Sequence, residues 1–206
     1  IKDAFVELEA MRLDNGEVVP FDREACAFGY RESFFKREGK DRFAILNVTF
    51  KLNKAPHALN TSYGNITDEL ARMGVSKPTI KSVSDAVISI RRSKLPDPAV
   101  IGNAGSFFKN PVVSVEVVEA IRTKYHDVVA YPAGDGRVKL AAGGLIEKAG
   151  WKGYRANDHG VHDRQALVLV NHGNAKGSAI YALSGAVMRS VHEKFGVELE
   201  REVNIL

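Results

Sequence analysis

One stretch of the chain combines a reactive hydroxyl with the residues that would hold it against a ligand. Residues 101–111 read Ile-Gly-Asn-Ala-Gly-Ser-Phe-Phe-Lys-Asn-Pro, with Ser106 between two glycines and two phenylalanines. Glycine lets the backbone approach a bound group closely, and buried aromatic rings keep water away from a hydroxyl. Lys109 and Asn110 then add a cation and an amide. The stretch therefore predicts a site in which Ser106 meets a ligand, and the alternative is a glycine turn that leads into a buried strand.

Other polar clusters predict no further chemistry. Residues 158–163 read Asp-His-Gly-Val-His-Asp, but they lack the single-face helical spacing of metalloprotease sites, so we interpret them as an exposed polar loop and predict no metal. Gly134-Asp-Gly136 and Gly143-Gly144 complete neither a dinucleotide fingerprint nor a Walker loop, so we expect turns there. No half of a Rossmann fold is visible.

Composition bounds the class of protein. The chain has 206 residues, of which 45% are hydrophobic, and a single cysteine, Cys26. One cysteine excludes an intrachain disulfide and fits a reducing compartment, so we expect a cytoplasmic protein, and no apolar run approaches membrane-spanning length. The first residue is Ile1 rather than methionine, which favours a piece of a longer protein. No oligomeric state is predicted.

The net charge of +4 favours an anionic partner, which could be a nucleic acid, a nucleotide or a phosphorylated sugar. Nucleic-acid binders usually concentrate Lys and Arg into a stripe with interleaved aromatics. Here the densest basic clusters, residues 91–94 and 36–37, are short. We therefore expect no nucleic acid, and a nucleic-acid-binding domain remains the weakest of the alternatives.

Hydrophobic periodicity predicts the elements that must position these residues. Asp14-Asn15-Gly16 is a strong turn signal, so Phe5 to Phe21 should form a β-hairpin. Val83, Ala86, Val87 and Ile90 recur at helical spacing, and this helix should end before Pro96 with Lys94 at its end. The remaining predicted elements are a buried strand from Phe43 to Leu52, a long loop from Asn53 to Lys81, a helix capped by Ser114, a short helix from Ala141 to Ala149, a buried strand from Ala166 to Val170, a helix from Ala179 to Phe195 ended by Gly196, and a final strand from Val197 to Leu206. This pattern predicts an α+β fold with a boundary near Lys94 to Pro98.

Five motifs along the chain resemble a known family. They are Phe-Gly-Tyr-Arg-Glu-Ser at 28–33, Lys-Leu-Pro-Asp-Pro at 94–98, Gly-Asn-Ala-Gly-Ser-Phe-Phe-Lys-Asn-Pro at 102–111, Gly-Arg-Val-Lys-Leu-Ala-Ala-Gly-Gly-Leu-Ile at 136–146, and Glu-Arg-Glu-Val at 200–203. Their order and spacing resemble the UDP-N-acetylenolpyruvoylglucosamine reductase family, over essentially the whole chain. The resemblance is to the form of the enzyme with a loop bearing Tyr63.

The resemblance implies a cytoplasmic flavoprotein of peptidoglycan precursor synthesis, and thus of cell-wall biogenesis, cell shape and division. In this family NADPH reduces bound FAD, and the flavin passes a hydride to the enolpyruvyl group of a UDP-sugar. It also implies that residues 1–94 are the C-terminal part of an FAD-binding domain of antiparallel strands, whose upstream part supplies most flavin contacts. Residues 95–195 would form a smaller α+β substrate-binding domain, and residues 196–206 a returning strand that carries a catalytic carboxyl. We expect this portion alone to be inactive.

By the same resemblance, the catalytic residues are Arg31, Ser106 and Glu202. Hydride addition to the terminal enolpyruvyl carbon leaves an enolate, whose charge Arg31 and Glu202 would stabilise. Glu202 donates a hydrogen bond only when protonated, and burial beside an anionic substrate favours that neutral form. Ser106 would deliver the proton, because an enolate carbon is a base strong enough to take it from an alcohol held in place. No Ser-His-Asp triad is therefore expected.

The resemblance places substrate binding on four further residues. Tyr63, Lys94 and Asn110 match positions that hold the UDP diphosphate, and Gln165 matches another substrate-side position. The chain departs from some relatives at Arg201, where proline is also seen. The alternative from another class is a nucleotide-sugar-binding module that kept the pocket and lost the flavin.

Overall fold

The structure is a computed structural model that describes residues 2–62 and 64–205. Within this part, the chain forms ten strands and five α-helices, and all the strand pairs are antiparallel, which confirms the predicted α+β class. The chain divides into two compact units, Ile1–Leu59 and Asn60–Leu206, called here the first and second unit. The domain boundary expected after residue 94 remains a prediction. In the described part, none of the helices combines the length and the apolar character that crossing a membrane requires.

The strands and helices are bounded as follows. The strands are β1 (Phe5–Arg12), β2 (Val18–Asp22), β3 (Phe43–Phe50), β4 (Gly102–Ser106), β5 (Val112–Ser114), β6 (Ala130–Gly134), β7 (Arg137–Leu140), β8 (Arg155–Ala156), β9 (His159–Val161) and β10 (Val168–Asn171). The helices are α1 (Ile66–Arg72), α2 (Ile80–Lys94), α3 (Val115–Arg122), α4 (Ala142–Lys148) and α5 (Gly177–Phe195), with a 3₁₀ helix at Phe34–Lys36.

The first unit contains one three-stranded sheet in the order β2-β1-β3. The predicted hairpin is confirmed: β1 and β2 pair antiparallel, and Gly16 in the connecting turn has a φ of 76°, a conformation that glycine adopts without steric cost. A cluster of phenylalanines forms the core beside the sheet. Phe21 lies at its centre, with ring centroids 4.9 to 5.3 Å from the rings of Phe34, Phe35 and Phe43.

The strand predicted from Phe43 to Leu52 exists as β3, but the prediction that it is buried is wrong. Ile45 is 49% exposed and Phe50 is 46% exposed. β3 is an edge strand that pairs with β1 alone, and the phenylalanine cluster reaches only its first residue, Phe43. An apolar run therefore did not indicate burial on both faces.

The loop predicted from Asn53 to Lys81 is also wrong in part, because it contains α1 and the start of α2. α1 buries only two apolar residues, Ile66 and Leu70, which form a small core with Ala86 of α2. Two apolar residues in a polar segment are too few to show helical periodicity in the sequence. α2 begins at Ile80 because the Thr79 side chain accepts a hydrogen bond from the Ser82 backbone amide at 3.1 Å and so caps the helix.

The second unit has two sheets, ordered β4-β10-β9-β8 and β5-β7-β6, and one large core around α5. Leu183, Val187 and Val191 are buried at the predicted helical spacing. α5 ends as predicted at Gly196, whose φ of 66° is left-handed. The predicted helices near Ser114 and Ala141 are confirmed as α3 and α4, and the predicted buried strand is confirmed as β10. The turn expected at Gly143-Gly144 is wrong, because both glycines lie within α4.

The tail was predicted to be a strand, and within residues 197–205 it is reduced to a single bridge between Phe108 and Arg201. The alternation that prompted the prediction is present, because Val197 and Leu199 are buried while Glu198 and Glu200 are exposed. Within the described residues, the backbone of the tail pairs with the segment that follows β4, and this segment is too short to support a longer ladder.

Candidate functional site

Ser106 is the last residue of β4 and is exposed. The alternative interpretation was a glycine turn that leads into a buried strand, and the structure differs from it: the glycine-rich stretch is itself a strand that pairs with β10. The two following phenylalanines are buried as expected, with Phe107 at 5% and Phe108 at 1% exposure. Their burial fixes the backbone directly after Ser106.

A β-bulge lies just before Ser106. Val170 pairs with Asn103 and Val168 pairs with Ser106, so two steps along β10 face three steps along β4. Gly105 sits in this bulge with a φ of 69°. Bulges bend a strand and re-aim its side chains, and they are frequent next to active sites. The bulge therefore determines which side chain stands at the end of β4.

Glu202 lies on the segment adjoining Ser106. Its backbone amide donates to the carbonyl of Phe107 at 2.9 Å, and its side chain is half-buried. The Lys109 amide donates to the Glu200 carbonyl at 2.9 Å, and Phe108 forms a β-bridge with Arg201. The structure therefore brings two of the three predicted catalytic residues onto neighbouring, hydrogen-bonded chain segments.

Arg201 anchors this tail to α5. Its Nε donates to the Oγ of Ser184 at 2.7 Å, and its guanidinium lies 4.3 Å from the ring centroid of Tyr181. Ser184 is fully buried, and its hydroxyl donates to the Tyr181 carbonyl at 2.6 Å. Sequence reasoning gave Arg201 no role, although it is adjacent to Glu202.

Asn110 and Gln165 both lie beside the start of α4. Asn110 Oδ1 accepts from the backbone amide of Ala142, the first residue of the helix, at 2.9 Å. Gln165 Oε1 would lie 3.1 Å from a Cβ placed on Gly143, which is closer than most real contacts, so glycine fits this position. Two predicted substrate-binding residues thus share one end of one helix.

Lys94 is the last residue of α2 and is exposed, as expected for a lysine at a helix end. Arg164 connects this end to the loop that carries Gln165, because its Nη1 donates to the Ser93 carbonyl at 3.0 Å. The last carbonyls of a helix have no partner within the helix, so this contact caps α2. Sequence reasoning missed Arg164, whose contact joins two segments that lie 71 residues apart in the chain.

Arg31 lies in the first unit and is exposed. It occupies a tight turn closed by a hydrogen bond from the Gly29 amide to the Glu32 carbonyl at 2.9 Å, and its φ is 57°. A residue with a long side chain is uncommon in this left-handed conformation, which costs about 1–2 kcal/mol. Such strain at a polar residue is typical of functional sites. Tyr63 lies outside the described residues.

The segment from Asp158 to Asp163 was interpreted as an exposed polar loop, and that interpretation is wrong. It includes β9, and His162 is only 8% exposed. The His162 Nδ1 accepts from the Arg164 backbone amide at 3.1 Å, and burial lowers the pKa of its imidazole. In the described part of the chain, no three or more His, Cys, Asp or Glu side chains are grouped to hold a metal ion.

A family model described as the C-terminal domain of UDP-N-acetylenolpyruvoylglucosamine reductase matches residues 97–206, just over half of the chain. The chain belongs to the UDP-N-acetylenolpyruvoylglucosamine reductase family. This confirms the family indicated by the five sequence motifs.

Two curated members of the UDP-N-acetylenolpyruvoylglucosamine reductase family carry that name and align along the whole chain. The protein from Pseudomonas putida is 53% identical over 205 residues, covering 100% of this chain and 60% of the relative. The protein from Flavobacterium johnsoniae is 50% identical over 206 residues, covering 100% of this chain and 61% of the relative. The chain therefore spans about three fifths of the length of these relatives.

The fold is shared with a solved reductase of the same name. The crystal structure of UDP-N-acetylenolpyruvylglucosamine reductase from Thermus caldophilus aligns with a TM-score of 0.56 and 21% sequence identity. The alignment covers 98% of this chain and 53% of that structure. This likeness supports the α+β architecture.

Proposed function

We propose that the chain is the substrate-binding portion of an FAD-dependent oxidoreductase that uses NADPH to reduce UDP-N-acetylglucosamine enolpyruvate to UDP-N-acetylmuramate. This reaction belongs to peptidoglycan precursor synthesis in the cytoplasm. The observation that carries the proposal is the pairing of the Ser106 and Glu202 segments, in a chain whose family is named for this reduction. The whole reductase includes further chain, as the length of the relatives indicates.

The surface beside Ser106 leaves room for a bound flavin to approach. Gly105 has no side chain, and a Cβ placed on it would meet no atom within 4 Å. When bound, FAD supplies the hydride that it has received from NADPH. The residues of this chain have two other tasks, which are to stabilise the developing charge and to deliver a proton.

Charge stabilisation falls to Arg31 and Glu202 in this proposal. Hydride addition to the terminal carbon of the enolpyruvyl group moves negative charge onto the adjoining carbon and its carboxylate. A guanidinium can form two parallel hydrogen bonds with a carboxylate, and a protonated Glu202 can donate one more. The strained turn at Arg31 supports its role, since strain persists where a side chain has to be presented in one way.

Ser106 delivers the proton to the carbon next to the carboxylate. An alcohol is a weak acid, but the enolate carbon is a strong base, so the transfer needs only a hydroxyl held at the right place. The bulge at Gly105 and the buried phenylalanines after Ser106 hold the backbone on both sides of the hydroxyl. Ser106 then regains a proton from solvent, to which it is exposed.

Lys94, Asn110, Gln165 and Tyr63 bind the UDP-sugar. Asn110 and Gln165 both accept backbone hydrogen bonds through their oxygens, so each offers its amide NH₂ to a phosphate or sugar oxygen. Lys94 supplies positive charge for the diphosphate. The contact of Arg164 with Ser93 supports the grouping, because it holds the Lys94 end of α2 beside the Gln165 loop.

The domain assignment completes the proposal. Residues 1–94 are the C-terminal part of an FAD-binding domain, residues 95–195 the substrate-binding domain, and residues 196–206 a returning segment that brings Glu202 to the site. The start of the family match at residue 97 supports a boundary there. The contacts between the tail and Phe107 to Lys109 support the role of the last segment.

Visible spectroscopy of the full-length protein under anaerobic conditions tests the proposal. A flavin band should bleach with NADPH and return when the enolpyruvyl UDP-sugar is added. Ser106→Ala should leave bleaching nearly unchanged and slow the return roughly 10²- to 10⁴-fold, because only the second half-reaction needs the proton. A protein that holds no flavin would instead be a nucleotide-sugar-binding module, and equal loss of both half-reactions would exclude Ser106 as the proton donor.

A further inference from the structure

The position of Ser106 depends on the bulge in β4. In a regular ladder continuing from the pair Val170 and Asn103, Gly105 would stand opposite Val168. The bulge adds one residue, so Ser106 takes that place instead. Because side chains alternate between the faces of a sheet, a shift of one residue moves a side chain to the other face. Loss of the bulge would therefore turn the Ser106 hydroxyl away from its present direction.

The Asn103 side chain holds this bulge. Its Oδ1 accepts from the backbone amide of Gly105 at 3.0 Å, which gives an amide within the bulge a hydrogen-bond partner. Its Nδ2 donates to the carbonyl of Ile101 at 3.0 Å and lies 3.5 Å from the carbonyl of Pro96. Asn103 is half-buried, so these bonds are partly shielded from competing water.

The two ends of this amide connect separate parts of the proposed site. Oδ1 fixes the backbone one residue before Ser106, and Nδ2 points to the linker that follows Lys94. Asparagine and glutamine carry an acceptor and a donor on one planar amide, and glutamine is longer by one methylene. Gly105 contributes the left-handed backbone, and Asn103 stabilises it.

We propose that Asn103 is a positioning residue for proton delivery, acting through the Gly105 bulge to hold the Ser106 hydroxyl in its productive direction. This inference rests on the proposed function for the role of Ser106. Asn103 does not need to touch the substrate in this scheme. Its removal should therefore slow only the step that uses Ser106.

The test is a double-mutant cycle in the full-length protein, followed by stopped-flow flavin absorbance. Asn103→Ala should slow reoxidation by the enolpyruvyl UDP-sugar about 10- to 100-fold, because a misplaced reacting group costs rates of this order, while flavin reduction by NADPH changes less than about twofold. In a Ser106→Ala background, Asn103→Ala should slow reoxidation by no more than about twofold further. Equal slowing in both backgrounds would overturn the inference, since Asn103 would then act independently of Ser106.

Asn171→Ala is the matched control. Asn171 lies on the partner strand, where its Oδ1 accepts from the amides of Gly173 and Ala175 at 3.1 and 3.2 Å and its Nδ2 donates to the Ala175 carbonyl at 2.9 Å. Asn171→Ala therefore removes a similar set of local hydrogen bonds and leaves the bulge in β4 unchanged. Its effect on reoxidation should be the same with and without Ser106.

Hydrogen exchange at the Gly105 amide separates failure of this inference from failure of the proposed function. Asn103→Ala should speed exchange there at least about tenfold, and Asn171→Ala should not. Unchanged hydrogen exchange at Gly105 overturns the inference whatever the reoxidation rates are. A wild-type flavin that the UDP-sugar never reoxidises overturns the proposed function instead.

If Asn103→Ala does not fold, Asn103→Asp is the second variant. It keeps the acceptor for the Gly105 amide and loses the donor, so it should slow reoxidation less, with the same dependence on Ser106.

Discussion

In the second unit, one large core packs around α5, and side chains from distant parts of the chain clamp the segments that carry Ser106, Glu202 and Gln165. In the first unit, by contrast, the core is a compact cluster of phenylalanines beside a three-stranded sheet, and most of β3 is exposed. The single proposed catalytic residue there, Arg31, lies in a turn with a left-handed backbone. The comparison therefore contrasts long-range side-chain contacts that position candidate residues in the second unit with a local backbone conformation that contributes to positioning in the first.

The largest expected effect is on the free energy of unfolding, when a buried and an exposed phenylalanine are each replaced. Phe108→Ala should reduce the free energy of unfolding by about 3–5 kcal/mol, because the ring is 1% exposed in the main core of the second unit. Phe50→Ala removes the same group from the exposed strand β3 and should cost less than about 1 kcal/mol. Urea unfolding of the full chain measures both. A Phe50→Ala cost as large as that of Phe108→Ala would mean that the outer face of β3 is covered in solution.

A second prediction separates the unfolding of the two units. Burial raises the pKa of the Cys26 thiol and the Asp22 carboxylate adds to the shift, so the folded first unit should protect this only cysteine from thiol reagents. Trp151, the only tryptophan, packs against the core of the second unit. Cys26 labelling should begin at a lower urea concentration than the change in Trp151 fluorescence. Coincident midpoints would show that the units unfold together.

A third prediction tests the clamp between α2 and the Gln165 loop. Arg164→Ala should weaken binding of the UDP-sugar about tenfold, since one charge-assisted hydrogen bond to Ser93 is lost, with kcat changed by less than about twofold. Arg155→Ala is the control, because Arg155 makes a comparable but local bond to the Asn157 carbonyl at 3.1 Å. Isothermal titration calorimetry measures binding. Equal weakening in both variants would exclude a specific role for the clamp.

The smallest effect is a pH dependence from His162. Burial lowers the pKa of this imidazole below its ordinary value of 6.5, so the unfolded chain binds a proton there before the folded chain does. This contribution to stability is complete above pH 6.5 and is lost as the pH falls through the lowered pKa of the folded state. His162→Gln should flatten the fall in urea midpoint between about pH 7 and pH 5. An unchanged pH profile would show that another group causes the fall.

Sequence patterns predicted the elements whose signals are local. The turn at Gly16, the periodicity of α5 and its end at Gly196 all depend on residues close together in the chain. The errors concern tertiary pairing: β3 is exposed because only β1 pairs with it, and the tail forms one bridge because its partner segment is short. α1 was missed because its helical signal consists of two buried residues.

The residues of the candidate site also separate into those that local sequence motifs predicted and those that depend on tertiary contacts. Ser106, Asn110 and Glu202 lie in motifs that the sequence shows directly, and the structure brings their segments close. Arg164 and Arg201 were missed because their partners, Ser93 and Ser184, belong to other elements. Asn103 lies in a motif that the sequence shows, but its hydrogen bond to the bulge in β4 could not be predicted, because the bulge depends on the pairing with β10.

The left-handed conformation of Arg31 has a consequence for directed evolution. Glycine or asparagine would relax the backbone there, so a library at this position screened for heat resistance should enrich those two residues. A library screened for turnover should retain arginine, because the proposed reaction needs its guanidinium. The two screens should therefore enrich different residues at this position, so the proposed catalytic role of Arg31 and the stability of its backbone can be measured separately.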